Sequence, residues 1–297
     1  MSNAMEWLQF VLAPQMINGL SIGVAVVLMA LGLTIIFGLL DVINMAHGEF
    51  YAIGAYLAVA LLATGMSFWW ALVLTPLLMA VLGFVTERGL IQRVFHSKDR
   101  HTLTLLLTFG VAVVLEDALK IAFGANPLRL EAPISGATEM VGLFFPNYRL
   151  FVMLFGGALI AAVWLLVFRT SLGAIVRAAA FDRNMSASLG VPVQLVYAGT
   201  FAFGVALAGI AGVLLAPIYS VFPTMGKDFV LIAFSVVIIG GMGSIKGALL
   251  AGLLLTQVQS ISSLYISPVW SDPLLFGIMV LVLMWRPQGL FGKLGSA

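Results

Sequence analysis

The chain has 297 residues, of which 62% are hydrophobic and only 9% charged, with a net charge of +2 and no cysteine. A soluble domain carries about 25% charged residues, so this composition excludes a solvated globular surface. The absence of cysteine excludes disulfides, thiolate metal sites and a cysteine nucleophile.

The apolar stretches are continuous, as in Val24 to Leu33 and Leu249 to Leu255. A membrane β-barrel would alternate polarity in segments of about ten residues, so the expected class is an all-α integral membrane protein, a polytopic helical bundle. The opening Met1-Ser2-Asn3-Ala4 resembles an expression-tag remnant, with Met5 as the native start. No basic stretch precedes the first apolar run, which predicts no cleaved signal peptide. The remainder reads as a single transmembrane domain.

Nine apolar segments follow in chain order: Met16–Leu40, Glu49–Thr64, Phe68–Thr86, Leu103–Gly124, Leu150–Phe168, Leu195–Pro217, Phe229–Gly243, Gly247–Leu264 and Pro273–Trp285. The seventh and ninth are short for a crossing, so the expected count is about nine helices, within a range of eight to ten.

Between the first two lies Leu33–Tyr56, LTIIFGLLDVINMAHGEFYAIGAY, which puts Asp41, Asn44, His47 and Glu49 within nine residues. Met16 to Thr64 as one straight helix would be about 73 Å long, more than one crossing absorbs, so the chain turns or breaks here. Two readings fit: a solvated hairpin, or a break at membrane depth whose polar groups line a solute path.

The fourth segment carries Glu116, Asp117 and Lys120. Glu116 and Lys120 have the i,i+4 spacing of a helical ion pair. Ionisable groups inside a span are costly and point to function, although Lys120 is near enough to the segment end to reach outward.

After the fifth segment comes SLGAIVRAAAFDRNMSASLGVPV, Ser171 to Val193. Its centre, Ala174 to Leu189, predicts one short amphipathic helix bounded by Gly173 and Gly190 and stopped by Pro192. Such a helix suits either a lipid surface or a partner's groove.

If the segments alternate, ten of the fourteen basic residues share one side: Arg88, Arg93, Lys98, Arg100, Arg169, Arg177, Arg183, Lys246, Arg286 and Lys293. Arg129, Arg149 and Lys227 fall on the other, and Lys120 within a span. The positive-inside rule then predicts a cytoplasmic C-terminus. Aromatic residues near segment ends, among them Trp69, Trp70, Tyr148 and Trp285, suit the headgroup region. Small residues at helix-packing spacing recur at Gly19-Gly23, Gly32 with Ile36, Gly199-Phe203, Ala208-Gly212 and Gly243-Gly247.

An enzyme reading fails on inventory. The histidines are His47, His96 and His101, with no H-E-x-x-H pair, no P-loop and no G-x-S-x-G turn. No metal and no cofactor is expected.

Gly32–Tyr56, above all Ile43-Asn44-Met45-Ala46-His47-Gly48-Glu49 and Ile53-Gly54-Ala55-Tyr56, resembles the first signature of the permease subunits of branched-chain amino acid ABC importers. The loop residues Gly173, Arg177, Ala178, Asn184, Ala187 and Gly190 resemble that family's coupling loop. Ile239-Gly240-Gly241-Met242-Gly243-Ser244 with Gly247, and Arg286-Pro287-Gln288-Gly289-Leu290-Phe291-Gly292, resemble its later signatures.

The resemblance implies an inner-membrane permease that pairs with a second permease, two cytoplasmic ATPase subunits holding the missing P-loop, and a periplasmic binding protein. It involves no nucleic acid. It implies ATPase docking through a loop at 169–194, with Gly173, Arg177, Asp182, Arg183, Asn184 and Gly190 as contacts. A translocation path would be lined by Asp41, Asn44, His47, Glu49, Glu116 and Asp117. The substrate it implies is leucine, isoleucine or valine, while relatives carry urea, amides or aromatic acids. The alternative function is an ion- or proton-coupled secondary transporter of small neutral solutes, with Glu116, Asp117 and His47 as coupling groups.

Overall fold

The computed structural model of the chain describes residues 6–95, 97, 99–140 and 143–292. The tag remnant expected at Met1–Ala4, the native start expected at Met5, and Lys98 and Lys293 of the expected basic side lie outside these residues. The main helices are α1 (Ala13–Leu40), α2 (His47–Ala63), α3 (Phe68–Thr86), α4 (Arg100–Phe123), α5 (Asn147–Arg169), α6 (Ser171–Phe181), α7 (Arg183–Ser188), α8 (Val193–Leu215), α9 (Met225–Gly240), α10 (Ile245–Ser262) and α11 (Ser271–Trp285). A helix satisfies every interior backbone group within itself, which hydrocarbon demands.

Each of the nine apolar segments coincides with a helix in the described residues. Six are long and apolar enough to cross a membrane: Phe10–Leu40, Phe68–Val94, Arg100–Phe123, Asn147–Arg169, Val193–Leu215 and Ile245–Ser262. The others, α2, α9 and α11, are shorter. A small hairpin of β1 (Ala137–Met140) and β2 (Leu143–Pro146) caps the α4–α5 connection. It has no counterpart in the sequence reading, because four-residue strands leave too little periodicity to detect.

α1 and α8 form the buried centre. They approach closely because glycines face each other: a Cβ on Gly32 would strike the Gly204 carbonyl, and one on Gly204 would lie 2.8 Å from the Gly32 carbonyl. α10 lies antiparallel to α1, with Gly19 against Ser260 and Gly23 against Thr256. α2 crosses α8 where Gly54 meets Gly209 and Gly212 meets the backbone at Tyr51. Of the expected small-residue sites, Gly199 alone of these has open space where its Cβ would be.

These contacts define two ends. At one, Gly38 packs on Gly243, Arg183 lies over the rings of Phe95 and Tyr197, and the tail returns so that Leu290 N–H donates to the Ile239 carbonyl at 2.8 Å. At the other, the Ser260 hydroxyl donates to the Gln15 carbonyl at 2.7 Å and the Tyr148 hydroxyl to the Leu214 carbonyl at 2.8 Å. Arg88, Arg93, Arg100, Arg169, Arg177, Arg183, Lys246 and Arg286 lie on the elements of the first end, whereas Arg129 and Arg149 belong to the second, where Leu128 pairs with Val221 and Arg149 donates to Asn18.

Gly32→Leu should force α1 and α8 apart and cost about 1–3 kcal/mol or more. Its melting temperature in detergent should fall well below that of Gly199→Leu; equal stability would mean the close approach does not hold the bundle.

Candidate functional site

The first element of the site is the break after α1. Asp41 takes a left-handed conformation (φ 51°), and its N–H caps the helix by donating to the Phe37 carbonyl at 2.8 Å. The chain then runs back alongside α1, and α2 begins at His47. His47 Nε2 donates to the Met29 carbonyl at 3.0 Å, since a carbonyl can only accept. Met29 lies eleven residues before Leu40, about 16 Å along the helix. The segment is therefore a break that re-enters the bundle, not a solvated hairpin.

Side chains replace the missing helical hydrogen bonds. Met45 N–H donates to the Thr108 hydroxyl at 3.1 Å, and Ala46 N–H donates to Asn44 Oδ1 at 3.1 Å. The Thr108 hydroxyl is 3.3 Å from the Ile43 carbonyl and 3.2 Å from the Leu105 carbonyl, either of which can accept its one proton. Asn44, His47 and Glu49 are all buried. Asn44 Nδ2, His47 Nδ1, Glu49 Oε2 and the Tyr51 hydroxyl have no hydrogen-bond partner among the described residues. Asp41 stands apart from them at the basic end, 3.4 Å from Arg100 and 3.5 Å from His101.

The second element is an ion cluster. Glu116 is buried and receives two ammonium groups, Lys120 at 2.7 Å on one oxygen and Lys227 at 2.6 Å on the other. Lys120 also reaches Asp117 at 3.2 Å. The i,i+4 pair read from the spacing is thus present. Lys227 belongs to the first turn of α9, whose Gly226 abuts the Glu49 carboxyl; a Cβ there would lie 2.6 Å from Oε1. The positive end of α9 favours a carboxylate in that position. Glu49, Glu116, Asp117 and Lys227, drawn from three helices, are brought into one neighbourhood. Lys227 escaped the sequence reading because only folding brings it to Glu116, 111 positions earlier.

The third element is the loop after α5. The single helix expected over Ala174–Leu189 is two: α6 starts at Ser171, capped by the Thr170 side chain, and α7 starts at Arg183, capped by Asp182. Asp182 accepts from Met185 N–H at 2.9 Å, and at φ −146°, ψ 105° its extended backbone ends α6. Such side chains compete with helical hydrogen bonds, which an amphipathic pattern alone does not reveal. Gly173 is inside α6 against the Val167 carbonyl, so it does not bound the helix, whereas Gly190 (φ 85°) terminates the loop as expected.

Arg177 and Arg183 turn toward the bundle. The Arg177 guanidinium donates to the Val167 carbonyl and lies 5.7 Å from the Phe168 ring; Arg183 lies 5.0 Å from the Phe95 ring. Asp182 and Asn184 are exposed. Three large apolar side chains beside them are also open, with Phe181 95%, Leu189 78% and Met185 64% exposed. Sequence reasoning passed over these three in favour of charges. Their signal was the placing of large apolar side chains among the few polar residues of the loop, Phe181 before Asp182 and Met185 after Asn184.

Among the described residues no group of three or more His, Asp or Glu side chains could hold a metal ion.

A bundle of crossing-length helices with one broken entry and a braced polar loop has the architecture of a polytopic membrane permease. PsaBC from Streptococcus pneumoniae, solved in complex with Fab, shares this fold with a TM-score of 0.51 at 15% identity, over 97% of this chain and 96% of that one. The family described as branched-chain amino acid transport system / permease component matches residues 15–283, and the chain belongs to it. LivH of Salmonella typhimurium, a high-affinity branched-chain amino acid transport system permease protein, is 31% identical over 94% of this chain and 95% of its own length. BraD of Pseudomonas aeruginosa is 30% identical over the same shares, and LivM of Escherichia coli is 28% identical over 89% of this chain and 67% of LivM.

Thr108→Val should leave the Met45 N–H without an acceptor, at a cost of about 1–3 kcal/mol. Amide hydrogen exchange across residues 43–47 should accelerate, and Thr108→Ser should restore it. Unchanged exchange in the valine variant would show that the break is held by other contacts.

Proposed function

We propose that this chain is one of two permease subunits of an ATP-driven importer that carries branched-chain amino acids, leucine, isoleucine and valine, into the cytoplasm. Two ATPase subunits dock on its basic end and a periplasmic binding protein delivers solute to the opposite end. In this reading the whole chain is one transmembrane permease domain of the inner membrane. The nine apolar helices alternate, and the C-terminus is cytoplasmic. The bias of Lys and Arg toward one end supports that orientation.

The observation that carries the docking role is the apolar knob of Phe181, Met185 and Leu189, exposed at the tip of a loop that two arginines tie to the bundle. A loop that merely joined two spans would gain nothing by exposing these side chains. A lever that passes ATP-driven motion into the spans needs a sticky tip and a stiff stem. Arg177 and Arg183 form the stem, Asp182 sets the corner, and Asn184 lies exposed beside the tip. Gly173 and Gly190 shape the two ends. The path for solute runs past Asn44, His47, Glu49, Glu116 and Asp117, with Asp41 at its cytoplasmic mouth. In the alternative ion-coupled mechanism Glu116 is a coupling group, but here both its oxygens are already engaged by lysines.

Phe181→Asp should remove an apolar anchor worth about 1.5–3 kcal/mol when buried. ATPase recovery with the gently solubilised permease should fall about tenfold or more, with membrane insertion unchanged. Undiminished recovery would place the docking surface elsewhere. A reporter active only in the cytoplasm, fused after Ala297, should be active; silence would reverse the orientation.

A further inference from the structure

Lys227 does more than neutralise Glu116. Along α9, Lys227, Leu231, Phe234 and Ile238 follow one another at helical spacing on a single face. The last three line an open-sided cavity of about 320 Å³, bordered elsewhere by Ile43 and Met45 of the break and by Phe276 of α11. The cavity walls are apolar, and its one hydroxyl, Ser235, is spent on the Leu231 carbonyl at 3.0 Å. Its volume is at the lower bound of small-molecule sites, about 300 Å³. None of the cluster's side chains lines the cavity itself; Lys227 is one helical turn from Leu231, about 6 Å along α9, on the side away from Met242.

The charged groups above it are accessible although their helices are apolar. The side chains of Lys227 and Asp117 are each 61% exposed, and that of Lys120 is 40% exposed. Ammonium and carboxylate groups turned into lipid are costly, so this face borders a polar space. The ammonium groups of Lys120 and Lys227 and the carboxylates of Glu116 and Asp117, with the buried Glu49 behind them and an apolar cavity one helical turn away, are complementary to one chemical class, a zwitterion with an aliphatic side chain.

From this arrangement, and resting on the importer reading, we infer that Lys227, Glu116 and Asp117 form the head-group subsite for a zwitterionic α-amino acid whose aliphatic side chain occupies the Leu231–Phe234–Ile238 cavity. The solute carboxylate takes Lys227, and the solute ammonium takes the Asp117 and Glu116 carboxylates, with Lys120 retained on Glu116. The exchange leaves the net charge of the site unchanged, so no uncompensated ion is left in the apolar surroundings. A lone amine or a lone carboxylic acid would leave one. Glu49 packs against Gly226 in the first turn of α9, the helix that carries Lys227.

The test uses the absence of native cysteine in this chain. In the transporter assembled in vesicles with its partner subunits, Leu231→Cys is labelled with a water-soluble maleimide and read by mass on this chain. Leucine at about ten times its half-saturating concentration should slow labelling about tenfold. Isovalerate and isoamylamine, which each lack one charged group, should not protect. Adding Lys227→Gln should abolish protection by leucine. Ile238→Cys serves as a second probe should Leu231→Cys fail to assemble, and Thr64→Cys at the exposed turn between α2 and α3 should be indifferent to leucine. Lack of labelling, lack of protection by leucine, or equal protection by isovalerate overturns the subsite. Leucine uptake by the wild-type assembly is measured in the same vesicles. Intact uptake without protection sinks the subsite alone, whereas absent uptake sinks the importer reading itself.

Discussion

A backbone N–H or C=O left unpaired in hydrocarbon costs several kcal/mol, and the arrangement of this protein turns on how residues 41–46 meet that demand. The segment gives up helical hydrogen bonding in the middle of an apolar bundle. Thr108 from α4 and the Asn44 side chain supply what the lost helix would have supplied. His47 then fastens the start of α2 to the Met29 carbonyl. With those bonds in place, α2 begins at half depth, and its first turn brings Glu49 to the first turn of α9. Without the break, Glu49 would not meet the first turn of α9.

Packing makes the break affordable. In lipid there is no hydrophobic drive between helices, so close backbone approach must supply the attraction. Facing glycines at Gly32 and Gly204, and at Gly54 and Gly209, bring α1, α2 and α8 into direct backbone contact. The resulting frame is rigid at its centre. The helices that carry the titratable cluster, α4 and α9, lie around it with open charged side chains. Rigid centre and accessible flank suit a protein that must open a path without coming apart.

The braced loop and the ion cluster lie at opposite ends of the frame and are joined by it. The braced loop at the basic end is held by Arg177 and Arg183, and Arg183 lies over Tyr197 in the first turns of α8. α8 packs on α1 and α2, and α2 carries Glu49. α9 runs from Lys227 to Gly240, where the tail residues Leu290 and Phe291 bond its last carbonyls. Motion delivered to either α8 or α9 at the basic end therefore reaches the ion cluster through continuous helices rather than through loops.

The nine apolar segments, the polar interruption at Asp41–Glu49, the Glu116–Lys120 spacing and the basic bias were all legible in the sequence, because each is local or compositional. A continuous apolar run must be helical in lipid, and i,i+4 neighbours meet on any helix. What the sequence left open was the depth of the break, since composition cannot tell a solvated turn from one that folds back along Met29. Nor could it anticipate Asp182 dividing the loop after α5, the inward turn of Arg177, or the exposure of Phe181. The pairing of Lys227 with Glu116 and the cavity beneath it belong wholly to the tertiary structure, because they arise from separate helices whose relative placement depends on glycine contacts distributed over the whole chain.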